Sequence, residues 1–291
     1  MTTPRIVLLV NALHELHPEM ATALLGLRAA QRGCFVLFAA VEGFSWSAAG
    51  EPLVRGKVAT AATSADSALA ALARSEEITV SLRVGDVLLL RTNPARDPER
   101  AGVHRAAMAL ARLARDAGIL VLNDPDGIER VGSKLYLLEL PETVRPRQVV
   151  TVDPALVLAF AQREPGPVVL KPLWGTRGLG VVRVDLRRDG EAALMQAVAA
   201  LVPSGHLVAQ EYLPEAPDGD VRVLMLEGEP LTVQGQVAAV RRRPTVPGEF
   251  RSNVHLGGVA EPAEFRGALR AVATAVGPRL REAGIFLAGL D

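Results

Sequence analysis

The segment that most constrains the fold is Val168-Val169-Leu170-Lys171-Pro172-Leu173, with the glycine run Gly175-Thr176-Arg177-Gly178-Leu179-Gly180 and then Val181-Val182-Arg183-Val184 behind it. Two short apolar runs around a glycine loop spell strand, loop, strand. That order excludes a P-loop or a dinucleotide fingerprint, because both need a helix to open directly after the glycines and present its N-terminus to phosphate. The loop is the tip of a β-hairpin, with backbone N–H groups free to fold over phosphates. An ordinary glycine-rich turn beside a lysine fits the segment alone equally well. Of 32 Lys+Arg residues only Lys57, Lys134 and Lys171 are lysine. A lysine kept in such an arginine-biased chain implies that a compact point charge is wanted, since the two side chains are not interchangeable.

At 291 residues and 49% hydrophobic, the chain can bury a large core and divide into two or three domains. Its net charge of +0 gives no global field for nucleic acid or membrane. A lone cysteine, Cys34, excludes an internal disulfide framework and suits the reducing cytosol. The apolar stretch before Asn11 is too short for a signal peptide, and no segment reads as membrane-spanning.

The fold class is α/β. Ile6–Val10, Cys34–Ala40, Val87–Arg91 and Ile119–Asn123 read as strands, alternating with helices at Pro18–Arg32, Ser64–Arg74 and Arg100–Ala117. Such alternation predicts a parallel sheet with right-handed crossovers, closing near Asp124-Pro125. Beyond it Ile128–Leu140 reads as one helix carrying Lys134. A small α+β unit follows, with a strand at Gln148–Val152, helices at Pro154–Arg163 and Glu191–Val202, the glycine hairpin, and a strand at Leu207–Leu213. After a linker at Pro214–Asp218 come strands Val221–Leu226 and Leu231–Val240, a loop from Arg241 to Gly258, a helix at Glu264–Ala283 and a strand at Ile285–Leu290. The expected domains are therefore 1–125, 126–213 and 214–291.

Eight strings carry a resemblance: Arg91-Thr92-Asn93-Pro94, Val121-Leu122-Asn123-Asp124-Pro125, Lys134-Leu135-Tyr136, Val169-Leu170-Lys171-Pro172-Leu173, Gln210-Glu211-Tyr212-Leu213-Pro214, Asp218-Gly219-Asp220-Val221-Arg222-Val223, Gly248-Glu249-Phe250-Arg251-Ser252-Asn253 and Ala288-Gly289-Leu290-Asp291. Together they resemble the ATP-grasp ligases, especially prokaryotic glutathione synthetases and the ligases that add glutamate to a ribosomal protein's tail. The resemblance implies an ATP-grasp fold with an N-terminal α/β domain, a central lid domain and a C-terminal grasp domain.

It also implies roles for individual residues. Lys134, Lys171 and the loop residues Gly175, Thr176, Arg177, Gly178 and Gly180 would hold ATP phosphates. Gln210, Glu211, Tyr212 and Leu213 would form the adenine hinge, with backbone N–H and C=O of Glu211 to Leu213 pairing with the base. Asp220 would take the ribose. Arg222, Arg242 and Arg251 would serve catalysis, Arg91 and Asn253 would bind substrate, and Asp291 would hold Mg²⁺, with Mn²⁺ as a substitute. The structural alternatives are turn chemistry for Asp220, a solvated charge run for Arg241-Arg242-Arg243 and a bystander role for His255. Arg222, on an apolar strand, calls for an anionic partner such as a transferred phosphoryl group. Family members continue past Asp291 into a strand bearing a glutamate and an asparagine of the metal site. The chain therefore reads as a piece of a longer product.

The implied reaction joins a carboxylate to an amine through an acyl phosphate. Positioning and charge neutralisation would supply the catalysis. Arg91-Thr92-Asn93-Pro94 points to glutathione synthetase (γ-glutamylcysteine plus glycine), although Thr92 and Asn93 replace its usual lysine and aspartate. The glycine loop and Gly248–Asn253 look more like the glutamate ligases that act on a peptide or protein tail. A nucleotide-binding regulator without turnover is the third reading. The partners are small molecules, neither nucleic acid nor membrane, and apolar helix faces of the first domain could pair in a homo-oligomer. The expected compartment is cytoplasmic.

Overall fold

A computed structural model of the chain describes residues 4–176, 178–246, 249–251 and 258–291. It comprises two compact units, Met1–Gly127 and Ile128–Asp291.

The first unit opens with β1 (Arg5–Val10), α1 (Ala21–Gln31), β2 (Phe35–Ala40), β3 (Phe44–Trp46) and β4 (Pro52–Ala59). It continues with α2 (Ala65–Arg74), β5 (Glu77–Ser81), β6 (Val87–Leu90), α3 (Ala101–Asp116) and β7 (Leu120–Leu122), and α4 (Pro125–Val131) runs on from it. The sheet runs β3-β4-β2-β1-β6-β7, with β5 on β4. β2, β1, β6 and β7 are parallel, and their continuous apolar runs are buried among the helices (Val7, Leu8, Leu9, Val36, Leu37 and Leu88 are at most 1% exposed). The four strands expected to be parallel are so, and the sheet is extended by β4, which the sequence pattern did not reveal and which lies antiparallel to β2, β3 and β5. Two glycines allow that packing: a Cβ on Gly56 would stand 2.2 Å from the Phe38 carbonyl oxygen, and one on Gly43 2.3 Å from that of Arg55. Lys57 has a structural partner, since its Nζ donates to the Ala73 carbonyl at 2.8 Å, in the last turn of α2.

The described residues of the second unit form two larger antiparallel sheets and a two-stranded one. β8 (Gln148–Thr151), β9 (Val168–Pro172), β10 (Val182–Val184) and β11 (Leu207–Glu211) form one, in the order β10-β9-β11-β8, with α5 (Pro154–Arg163) and α6 (Leu186–Leu201) packed on one face. Gly190, at φ 80, interrupts the first turn of α6, so its helical body starts where the sequence places it. The other sheet contains β12 (Asp220–Leu226), β13 (Glu229–Pro230), β16 (Ala239–Arg243), β17 (Val259–Pro262) and β18 (Leu287–Leu290). Between β13 and β16 lies the small hairpin β14 (Thr232–Val233) and β15 (Gln236–Val237). Helix α7 (Ala268–Glu282) covers the five-stranded sheet through Ala273, Val276 and Leu280 against Val223 and Met225.

Three expectations are corrected. The helix read over Ile128–Leu140 stops at Val131, and after Gly132 the side chain of Ser133 caps a 3₁₀ turn, Lys134–Glu139, by accepting from Leu135 N–H at 3.3 Å. The strand read over Leu231–Val240 is broken at Gln234 (φ 51) and Gly235 (φ 80), the left-handed pair that a two-residue hairpin turn needs. Helix α7 starts at Ala268, after Gly267 at φ 54, rather than at Glu264. No helix among the described residues is long and apolar enough to cross a membrane.

The close approach of β2 and β4 is directly testable. Gly56→Ala should lower unfolding free energy by about 1–3 kcal/mol through overpacking against backbone. Gly102→Ala, in α3 with no atom within 4 Å of the added Cβ, should be neutral or stabilising by up to about 1 kcal/mol. Denaturant titrations giving both variants the same loss would contradict this packing.

Candidate functional site

The core against α5 and α6 takes Val168, Leu170, Val184, Leu207 and Ala209 from the four-stranded sheet. Side chains alternate along strands, so the register puts Lys171, Val169, Arg183, Val208, Gln210 and Gln148 together on the opposite face. On that face Lys171 Nζ donates to Gln210 Oε1 at 2.9 Å. Burial, aided by the charge of Lys134, pulls the Lys171 ammonium down to about 8. The 3₁₀ turn brings Lys134 to the same corner, where its Nζ donates to the carbonyls of Pro172 (2.8 Å), Leu173 (3.4 Å) and Gly175 (3.5 Å). Burial lowers its pKa as well. Two cations thus share one corner, and no carboxylate among the described residues pairs with either. Buried charge without a counter-ion is costly.

The hairpin tip flanks this corner. Gly175, Gly178 and Gly180 have φ of 140, 73 and 70, conformations that side chains rarely tolerate. Trp174 and Leu179 are exposed. Thr176 accepts from Leu179 N–H through its carbonyl at 3.3 Å. Arg177 lies outside the described residues, as do Asn253 and His255.

At the end of β11, Gln210 is buried. The expected availability of the hinge N–H groups is corrected in part. Glu211 N–H donates to the Arg147 carbonyl (3.0 Å) and Tyr212 N–H to that of Pro167 (3.1 Å), because the sheet continues through them. The N–H of Leu213 is left without a partner among the described residues. The Arg183 guanidinium lies 4.4 Å from the Tyr212 ring centre, a cation–π contact. Tyr212 also meets Phe250 edge-on, at 5.9 Å and 77°.

On the five-stranded sheet, the face away from α7 carries Asp220, Arg222, Arg242 and Asp291. Arg222 Nε and Nη2 donate to the two oxygens of Asp291, each at 2.6 Å. Arg242 Nε and Nη2 donate to Asp220, each at 2.6 Å, and Arg242 Nη2 also lies 3.0 Å from Asp291. The reading of Arg222 as buried and awaiting an external anion is therefore corrected. Strand alternation leaves it 45% exposed, and Asp291 is its anion. Among the described residues no three His, Cys, Asp or Glu side chains converge as a metal would require. Asp291, clamped by two guanidiniums, does not make a metal site with its described neighbours.

Arg251 stands apart from these arginines. Its Nη2 pairs with Glu249 at 2.7 Å and its Nη1 donates to the Gly178 carbonyl at 3.2 Å. The Arg251 guanidinium pulls the Glu249 carboxyl down to about 2. A cleft of about 440 Å³ runs beside them, lined by Val182, Arg183, Arg188, Phe250 and Arg251 among others.

In the first unit, Arg91 follows β6 at the carboxyl end of the parallel strands, where open α/β sheets bind ligands. Its Nε donates to Thr22 Oγ1 at 3.1 Å, and burial lowers its pKa. Asn11, at the matching end of β1, brackets Asn93. Its Oδ1 accepts from Asn93 N–H at 2.7 Å and its Nδ2 donates to the Asn93 carbonyl at 2.8 Å. A small cavity of about 50 Å³ opens among Asn11, Thr22, Arg91, Asn93 and Arg96. Sequence reasoning missed Asn11 and Thr22, although an asparagine directly after a buried parallel strand is a readable signal.

Residues 133–291 match the ATP-grasp domain of prokaryotic glutathione synthetase, and residues 5–129 match its N-terminal domain. The chain is 38% identical to the glutathione synthetase of Parasynechococcus marenigrum over 213 residues, 72% of this chain and 64% of that protein. It is 32% identical to that of Vibrio cholerae over 217 residues, 74% of this chain and 64% of that protein. The aligned region thus spans less than two thirds of these relatives. Among solved structures, D-cycloserine synthetase DcsG has a TM-score of 0.61 at 18% identity, covering 97% of this chain and 83% of that one. The ATP-grasp ligase PsnB has a TM-score of 0.56 at 19% identity, covering 99% and 85%. These likenesses establish an ATP-grasp fold. The chain belongs to the prokaryotic glutathione synthetase family.

Proposed function

We infer that the chain binds ATP and joins γ-glutamylcysteine to glycine, as a glutathione synthetase. The observation that carries the ATP assignment is the corner where Lys134 and Lys171 sit half-buried, with no carboxylate among the described residues paired to either. The curated relatives favour the small-molecule reaction over ligation to a protein tail. A carboxylate oxygen of the substrate attacks the γ-phosphorus and ADP leaves. The amine nitrogen then attacks the acyl carbon, phosphate departs and the amine gives up a proton.

In this scheme the two ammoniums neutralise the polyphosphate, and N–H groups at the hairpin tip close over it. Leu213 N–H meets the base. Arg222 and Arg242 turn from Asp291 and Asp220 toward transferred phosphate, while Arg251 ties the loop before β17 to the hairpin. Arg91 takes a substrate carboxylate in the first unit. Asp291 would present a hard oxygen, which suits Mg²⁺ better than a softer ion, only once Arg222 and Arg242 have turned away from it, and no step here is routed through a metal.

Lys171 gives a pH signature. Its amine is charged below about 8, so nucleotide affinity should fall as pH rises through that value, whereas Lys171→Arg should stay flat. The folded-state pKa lies below the ordinary 10.5, so the unfolded chain holds the extra proton between the two values. The ligand-free fold should gain stability from this group as pH rises from about 8 toward 10.5. Lys171→Met should therefore weaken ATP binding by about 10²–10³-fold yet raise the ligand-free Tm by about 2–4 °C. Calorimetry showing wild-type affinity in Lys171→Met would sink the assignment.

Asp291 tests the arginines. If Arg222 is meant for phosphate, Asp291→Asn removes its competitor, and tripolyphosphate in metal-free buffer should bind about fivefold tighter. Unchanged or weaker binding would remove Arg222 from the phosphate site.

A further inference from the structure

Gln148 opens β8, and both polar atoms of its carboxamide are shut off from solvent with no hydrogen-bond partner among the described residues. A dry, unpaired amide is costly, and native folds rarely leave one at both ends. Packing against α5 and α6 does not explain it, because Gln148 alternates to the opposite face. Its partner across the ladder is Gln210, so the two carboxamides stand side by side on the face that carries Lys171. The backbone beside Gln148 is fixed to the start of the hinge: Arg147 N–H donates to Glu211 Oε1 at 2.7 Å, and the Arg147 carbonyl accepts from Glu211 N–H at 3.0 Å. The orphaned amide thus lies on the edge strand, on the face that carries the ammonium assigned to phosphate and beside the turn assigned to the base.

The geometry points to Gln148 as the residue that distinguishes adenine from 6-oxopurines, an inference that rests on the nucleotide-binding reading above. Its Oε1 accepts from the exocyclic 6-amino group, and its Nε2 donates to N7 on the same edge of the purine. Adenine offers one donor and one acceptor along that edge, matching a carboxamide at both ends. Hypoxanthine and guanine present an oxygen and a nitrogen there, both acceptors, so Oε1 would stay unpaired. Adenine therefore satisfies the two atoms that the free chain leaves orphaned.

The test is calorimetric titration of the full chain with ATP, ITP and tripolyphosphate, without carboxylate or amine substrate, comparing wild type with Gln148→Met. The inference expects the variant to lose about tenfold to a hundredfold of the ATP-over-ITP preference. Tripolyphosphate affinity should be unchanged, and the ligand-free Tm equal or higher, because an unpaired polar group has been removed. An unchanged preference would overturn the inference. So would a variant that melts lower or fails to fold, since Gln148 would then be structural. Wild-type protein that binds tripolyphosphate and both nucleotides equally would overturn base reading while leaving the phosphate corner intact. Wild-type protein that binds none of the three would overturn the nucleotide-binding reading itself.

Discussion

Everything proposed for this chain depends on the confinement of two ammonium groups at one corner of the four-stranded sheet. Lys171 is brought there by alternation along β9, and Lys134 by a 3₁₀ turn whose geometry is set by Gly132 and Ser133. Each is half-buried, and among the described residues each makes do with neutral acceptors: an amide oxygen for one and carbonyls for the other. Neutral acceptors hold an ammonium in place without cancelling its charge. The folded chain therefore stores an electrostatic deficit that a polyphosphate would relieve, as expected where stability is surrendered for binding.

The five-stranded sheet solves the opposite problem. Arg222, Arg242, Asp220 and Asp291 form a ladder in which every charge has a partner. Such pairs, partly exposed, contribute little net stability, which makes them easy to exchange for phosphate. One sheet thus offers two ammoniums with no carboxylate partner among the described residues, and the other offers cations whose anions are replaceable.

Much of this was legible in the sequence for simple reasons. The strand–glycine–strand order around Lys171 admits few folds, and two lysines spared in an arginine-rich chain mark the corner. What was not legible depends on contacts between distant segments. β4 begins with proline and has a glycine at its centre, so it reads as loop until Gly56 is seen against the Phe38 carbonyl. A helical spacing over Ile128–Leu140 hid the break at Gly132, which moves Lys134 from a helix face to a turn. The pairing of Arg222 with Asp291 joins residues 69 apart in sequence. Gln148 looked like an ordinary strand start, and only the sheet register sets it beside Gln210.

The central claim is that the Lys171 ammonium awaits an anion, and the scarcity of lysine makes it measurable. With three lysines in the chain, ¹³Cε-labelled lysine gives three NMR signals, assignable by Lys→Arg substitution. The account predicts that the Lys171 signal titrates near 8 in the ligand-free protein and moves well above that when a non-hydrolysable ATP analogue is bound. A Lys171 signal titrating at the ordinary 10.5, indifferent to the nucleotide, would contradict it.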